Sequence, residues 1–172
     1  MNRFLAWLLS CSLLLAGCVS YDGRGLRPGI DGRDSVLASM GEPAMRWQEK
    51  GGGERLAYPR GPAATQTFMV HIGADGKLQQ VEKVLDMAHF ARIRSGIDDK
   101  DSVLHLIGPP NPAWTVYYEA RDELAWEWLF CDDWSLMARF GVLFDGRSGK
   151  VRSTFQRPEL RGMDGSAPAC GH

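Results

Sequence analysis

Apolar residues fall at alternate positions along two stretches, Phe68-Val70-Ile72 and Leu136-Ala138-Phe140-Val142-Phe144, as in strands that bury one face. A third stretch puts Leu124, Trp126, Trp128 and Phe130 on one face and Ala125, Glu127 and Leu129 on the other. Turn residues at Ala74-Asp75-Gly76-Lys77 and Asp145-Gly146-Arg147-Ser148-Gly149-Lys150 predict hairpins into strands over Leu78 to Val84 and Val151 to Phe155. Near Val36 and Val103 the period changes. Val36, Leu37 and Met40 make a narrow helical stripe, as do Val103, Leu104 and Ile107. Gly41 and Gly108 then permit a left-handed exit, and Pro43 and Pro110 stop the helix from resuming.

The two helical patterns are copies of one another. Shifted by 67, Arg27–Pro43 falls on Arg94–Pro110 with ten of seventeen positions identical, where chance gives about one. The spacing predicts that Asp31 and Asp98 cap the first helical turn through a carboxylate oxygen, with Asp34 and Asp101 placed against the positive end of the helix dipole. Beyond the helix, Trp47 aligns with Trp114, Glu54–Tyr58 with Asp122–Trp126, and Phe68, Val70 and Ile72 with Phe140, Val142 and Phe144. Each unit reads as a helix followed by three or four antiparallel strands. A further helix from about Leu85 to Ile93 opens the second unit. The fold class is α+β, two tandem units with one or two short helices packed on each antiparallel sheet.

The chain begins with a different kind of segment. Arg3 precedes an apolar run from Phe4 to Leu15 that ends in small residues, the layout of a secretory signal. Twelve helical residues rise only ~18 Å against a hydrocarbon core ~30 Å thick, too short to span a membrane. Leu15-Ala16-Gly17-Cys18 resembles a bacterial lipobox, which implies acylation of Cys18 and a mature chain that starts there. Val19, in place of aspartate, resembles the outer-membrane sorting signal of enterobacterial lipoproteins. The chain thus divides into a signal peptide (1–17), an anchor linker (18–25), a first unit (26–84), a second unit (85–157) and a Gly/Pro-rich tail (158–172). Stable residence needs more than one acyl chain, and each buried methylene contributes about 0.8 kcal/mol.

Composition narrows the partners. The chain carries 20 basic and 21 acidic residues, and removal of the signal leaves a charge of −2, with no polyanion-binding signature; nucleic acid is not expected. Cys11 leaves with the signal and Cys18 is taken by lipid, so Cys131 and Cys170 remain for an oxidising compartment. Paired, they close a loop of about forty residues worth ~4 kcal/mol of loop-closure entropy and tie down the tail. The alternative is two free thiols.

The Pro28-Gly29 step, the Asp34-Ser35-Val36 helix, Gly41-Glu42-Pro43, the aromatic strand and the Asp75-Gly76 hairpin resemble the BamE (SmpA/OmlA) family of small outer-membrane lipoproteins. The second copy, with Gly96, Asp101-Ser102-Val103, Gly108-Pro109-Pro110 and Asp145-Gly146, is similar, and the two cover about residues 26–157. The resemblance implies two helices on one face of a three-stranded antiparallel sheet, and a non-catalytic role in protein contacts at the machinery that inserts β-barrels. This chain carries two units where BamE itself has one. The tandem arrangement also resembles the β-lactamase-inhibitor-protein fold, which implies the alternative of an inhibitor of a periplasmic enzyme.

No residue pattern predicts a reaction, so the chain is read as a non-enzyme without a cofactor. His71, His89, His105 and His172 are scattered without ligand spacing, and no metal is assigned. Gly146–Lys150 has the wrong glycine spacing for a phosphate loop and reads as a hairpin turn. Asp132-Asp133 likewise reads as a turn. The tryptophan face of the second unit is expected beneath the helices. The opposite face, where Leu129, Met137 and Leu143 surround Arg139, is too apolar for open solvent. The first unit, the Cys170 tail or a partner protein must cover it. These expectations describe a binding or scaffold module at the outer membrane, lipid-anchored on the periplasmic face, accessory to envelope assembly.

Overall fold

A computed structural model describes residues 21–160 and 167–170; Cys18, the signal segment and His172 lie outside them. Two four-stranded antiparallel sheets carry the fold. Sheet 1 is the meander β1 (Met45–Gln48), β2 (Glu54–Arg60), β3 (Gln66–Ile72) and β4 (Leu78–Lys83), preceded by helix α1 (Arg33–Met40). Sheet 2 is β5 (Thr115–Tyr118), β6 (Glu123–Cys131), β7 (Met137–Asp145) and β8 (Val151–Pro158). It is preceded by α2 (Met87–Phe90) and α3 (Lys100–Ile107). The helix expected from Leu85 to Ile93 is thus a single turn, started by Asp86, whose carboxylate accepts the His89 amide N–H. Its Phe90 stacks flat on Phe140 at 3.8 Å and meets Phe130 edge-on.

The duplication holds at the level of individual hydrogen bonds. Gly29 N–H donates to Leu78 O at 2.8 Å and Gly96 N–H to Val151 O at 2.7 Å. Leu78 N–H returns to Asp31 O and Val151 N–H to Asp98 O, both at 2.8 Å. Both helices leave through a glycine, Gly41 at φ 78° and Gly108 at φ 79°, a conformation in which a Cβ is strained. At Gly108 an added Cβ would also lie 2.8 Å from Thr67 Cγ2. The exit carbonyls are then bound by a buried aromatic of the central strand. Tyr58 Oη donates to Gly41 O at 3.1 Å, and Trp128 Nε1 donates to Gly108 O at 3.2 Å.

That pairing corrects the strand alignment. Leu56 faces Val70 and Trp126 faces Val142, so Glu54–Tyr58 corresponds to Leu124–Trp128, two residues beyond the expected match. A slip of two preserves which face each side chain occupies, so the apolar pattern could not reveal it. Trp47 and Trp114 also part company. Trp47 lies in β1 opposite Arg55, whereas Trp114 sits in a 3-10 turn ahead of β5.

The expected caps are a second correction. Asp31 and Asp98 reach backward, each accepting the amide N–H of the residue four before it, Arg27 at 2.6 Å and Arg94 at 2.7 Å. They close the turn ahead of the helix. The N-cap of α3 is Asp99, which accepts Ser102 N–H at 3.0 Å, and that of α1 is Gly32, with no side-chain cap. Asp34 and Asp101 do occupy the first helical turns.

The layers run α1, sheet 1, α2 and α3, sheet 2. Val36 and Met40 of α1 bury against Leu56, Tyr58, Val70, Ile72 and Leu78. The other face of sheet 1, through Ala57 and Met69, joins a second cluster with Val103 and Ile107 of α3 and Trp128, Phe130, Phe140, Val142 and Phe144 of sheet 2. The tryptophan face therefore lies under the helices, with Trp128 only 2% exposed. Helix α3 is covered on two sides, and its Leu106 packs on the second cluster beside the buried pair.

Candidate interaction surfaces

The outer face of sheet 2 is closed from within the chain. Leu129, expected on a partner surface, is 2% exposed and offers no contact, and Met137 and Leu143 are half-buried. Arg139 sits between carboxylates, 3.2 Å from Glu127 and bonded to Glu159, with its guanidinium 3.8 Å above the Trp114 ring. These hydrogen bonds, Glu159 foremost, hold its pKa above the ordinary arginine value. A cation so enclosed organises its neighbours and is not free for a partner. Of the four expected surface residues, Leu129 is buried and Met137, Arg139 and Leu143 keep partial exposure.

The tail supplies the rest of the cover. Cys131 and Cys170 form a disulfide, with Cα atoms 6.0 Å apart. Met137 N–H donates to Pro168 O at 2.7 Å, Cys170 N–H donates to Ser135 O at 2.8 Å, and Leu136 bridges Ala169. These contacts brace the β6–β7 hairpin, whose tip is further set by Asp132: its Oδ1 accepts the amides of Trp134 and Leu136, both at 2.9 Å. On this braced tip Trp134 is 84% exposed. A large indole carried into solvent on a braced turn gains nothing for the fold and has the form of an interface anchor. Sequence reasoning passed over it because Asp132-Asp133 explained the turn without asking what the turn displayed.

A second feature lies where the units meet. Three histidines gather there, each on a carboxylate: His71 Nε2 2.8 Å from Glu82, His89 Nδ1 2.8 Å from Asp86, and His105 Nε2 2.9 Å from Glu49. They are half-buried junction residues rather than scattered ones, with His89 and His105 in the last turns of their helices. Arg55 Nη1 donates to His105 O at 2.9 Å and lies 3.1 Å from His105 Nδ1. An arginine has only donors, so Nδ1 accepts and the proton resides on Nε2, toward Glu49. Burial first, and then the Arg55 charge, hold the His105 pKa below its usual value. Trp47 meets the same imidazole edge-on at 5.4 Å. Among the described residues no group of three or more His, Cys, Asp or Glu side chains is arranged to hold a metal ion. Ser102, nearby, spends its hydroxyl on Asp99 at 2.8 Å.

Beside this junction a cleft of about 1120 Å³ opens between Trp47, Lys50 and Arg55 of the first unit and Ala91, Arg92, Arg94, Ser102, His105 and Leu106 of the second. Of its cations, Arg55 is paired with Glu49 and Arg94 with Asp98. Lys50 and Arg92 are exposed. No helix among the described residues is long and apolar enough to cross a membrane. No family model, curated protein or solved structure matches this chain.

Proposed function

We propose that this chain is a lipid-anchored binding or scaffold module of the BamE-like kind, tethered through Cys18 at the periplasmic face of the outer membrane and accessory to envelope assembly through protein contacts. The observation that carries this reading is the disulfide-braced hairpin displaying Trp134. A structural disulfide suits an oxidising compartment, in keeping with the signal-like segment. A tryptophan displayed on a braced backbone, for its part, suits a protein interface, because the turn that carries it need not be ordered on binding. The test is in-cell photocrosslinking from position 133, beside Trp134, with quantification of outer-membrane proteins in a strain lacking the chain. The reading expects a specific envelope partner whose crosslink disappears with Trp134→Ala, and altered barrel-protein levels. Unchanged levels together with no crosslink would refute it. For the tether, Cys18→Ala releases the protein into the soluble periplasm, and persistent membrane retention points to a different anchor.

The same projecting hairpin supports a second reading, an inhibitor that inserts Trp134 into the cleft of a periplasmic enzyme. Purified mature protein then lowers β-lactamase or periplasmic protease activity, and Trp134→Ala restores it. Full activity at saturating protein removes this reading.

A further inference from the structure

We propose that the cleft between the two units is a docking site for an acidic, extended polypeptide segment. This deepens the scaffold reading and rests on it, but names a different surface from the Trp134 hairpin. Lys50, at the β1–β2 turn, and Arg92, just after α2, both line the cleft, and neither has an ion-pair partner among the described residues. They come from different units, so the site exists only because the units are fused. Between them the lining includes Trp47, Leu106 and Ala91, an apolar floor for a side chain flanked by carboxylates. About 1120 Å³ exceeds what a single small anion fills and matches the upper end of ligand clefts, on the order of 1,000 Å³. The remaining charges sharpen the prediction. Arg55 and Arg94 are neutralised by Glu49 and Asp98, whereas Asp101 also lines the space and opposes an anionic ligand. His105 Nε2 lies 2.9 Å from Glu49, which leaves Lys50 and Arg92 as the recognising cations.

The experiment titrates the folded mature protein with a hexaglutamate peptide, with hexalysine and inorganic phosphate as parallel probes. Binding is followed by NMR at the Trp47 indole N–H and the His105 ring. Hexaglutamate is expected to shift both signals saturably, hexalysine to shift neither, and phosphate to compete weakly. A Lys50→Glu, Arg92→Glu double variant, both positions exposed, is expected to weaken hexaglutamate at least about tenfold, the scale of two lost charge contacts. Asp101→Asn is expected to tighten it about twofold to threefold, as removal of one exposed like charge allows. The proposal is overturned if hexaglutamate leaves the cleft signals unmoved, if the double variant binds it equally well, or if phosphate displaces it at equal concentration, which would mark a simple anion site. Failure here with an intact crosslink from position 133 removes the cleft alone. Absence of that crosslink together with unchanged barrel-protein levels removes the broader reading.

Discussion

Tyr58 and Trp128 do the same work with different chemistry. Each fills the space under its helix and donates one hydrogen bond to the carbonyl that the helix leaves unpaired at its glycine exit. Burial, the largest influence, pushes the Tyr58 hydroxyl pKa up to about 12, so it stays a neutral donor at any working pH. Tyr58→Phe keeps the packing and strands the Gly41 carbonyl. Urea unfolding should show a loss of about 1 kcal/mol. His105 gives a pH signature. Its folded pKa lies below the ordinary value of 6.5, so the unfolded chain takes up the proton first. Stability is then full above pH 6.5 and falls as the pH drops from there toward the folded value. Burial sets this shift, the charged or titratable neighbours Arg55 and His71 add to it, and Glu49 opposes it. Thermal melts across pH 5–7 should lose that slope in His105→Asn. A second loss follows in more acid solution, where Asp99, held low by Ser102 and Lys150, and Asp145, held low by Ser148 and Arg152, take up protons. At this scale the duplicated Asp-x-x-Asp-Ser-Val signal was legible but the division of labour was not. Asp98 and Asp99 are chemically identical, and only the backbone path shows that one closes the preceding turn and the other caps the helix.

Among the elements, α1 and α3 show how one helical pattern serves two environments. Helix α1 lies against sheet 1 and carries Ser39 where α3 carries Leu106. Helix α3 lies between two sheets. Both strand meanders were readable from period-two alternation and Asp-Gly turns, yet their correspondence slipped by two at the central strand. Faces are conserved under such a slip, and only the ladder fixes the pairing. The β6–β7 hairpin depends on the tail in a way that a sequence pattern cannot express. Cys170→Ser removes the cross-link across 39 residues of sequence and should cost ~2–4 kcal/mol. Hydrogen exchange should rise at the Met137 amide, which Pro168 now holds. Unchanged exchange there would mean that the bridge β-ladder suffices without the disulfide.

The molecule as a whole is a short stack with two different ends. The back face of sheet 1 receives α3, whereas the same face of sheet 2 carries charged side chains. There Glu127 stands in the register position of Ala57 and Gly141 in that of Met69, and Arg139, Arg157 and Glu159 build an ionic cover. Because Ala57 and Met69 share a core with α3 and sheet 2, the units should unfold together. Calorimetry of the mature protein should give one transition with equal calorimetric and van't Hoff enthalpies, and a fragment ending at Val84 should not melt cooperatively. The sequence by itself determined the duplication, the strand and helix identities, the glycine exits and the tryptophan core, because each rests on residue type at short spacing. What covers each sheet face, which aspartate caps, the gathering of three histidines and the cleft between the units were decided only by tertiary structure. They depend on contacts between residues far apart in the chain, and local periodicity carries no record of those.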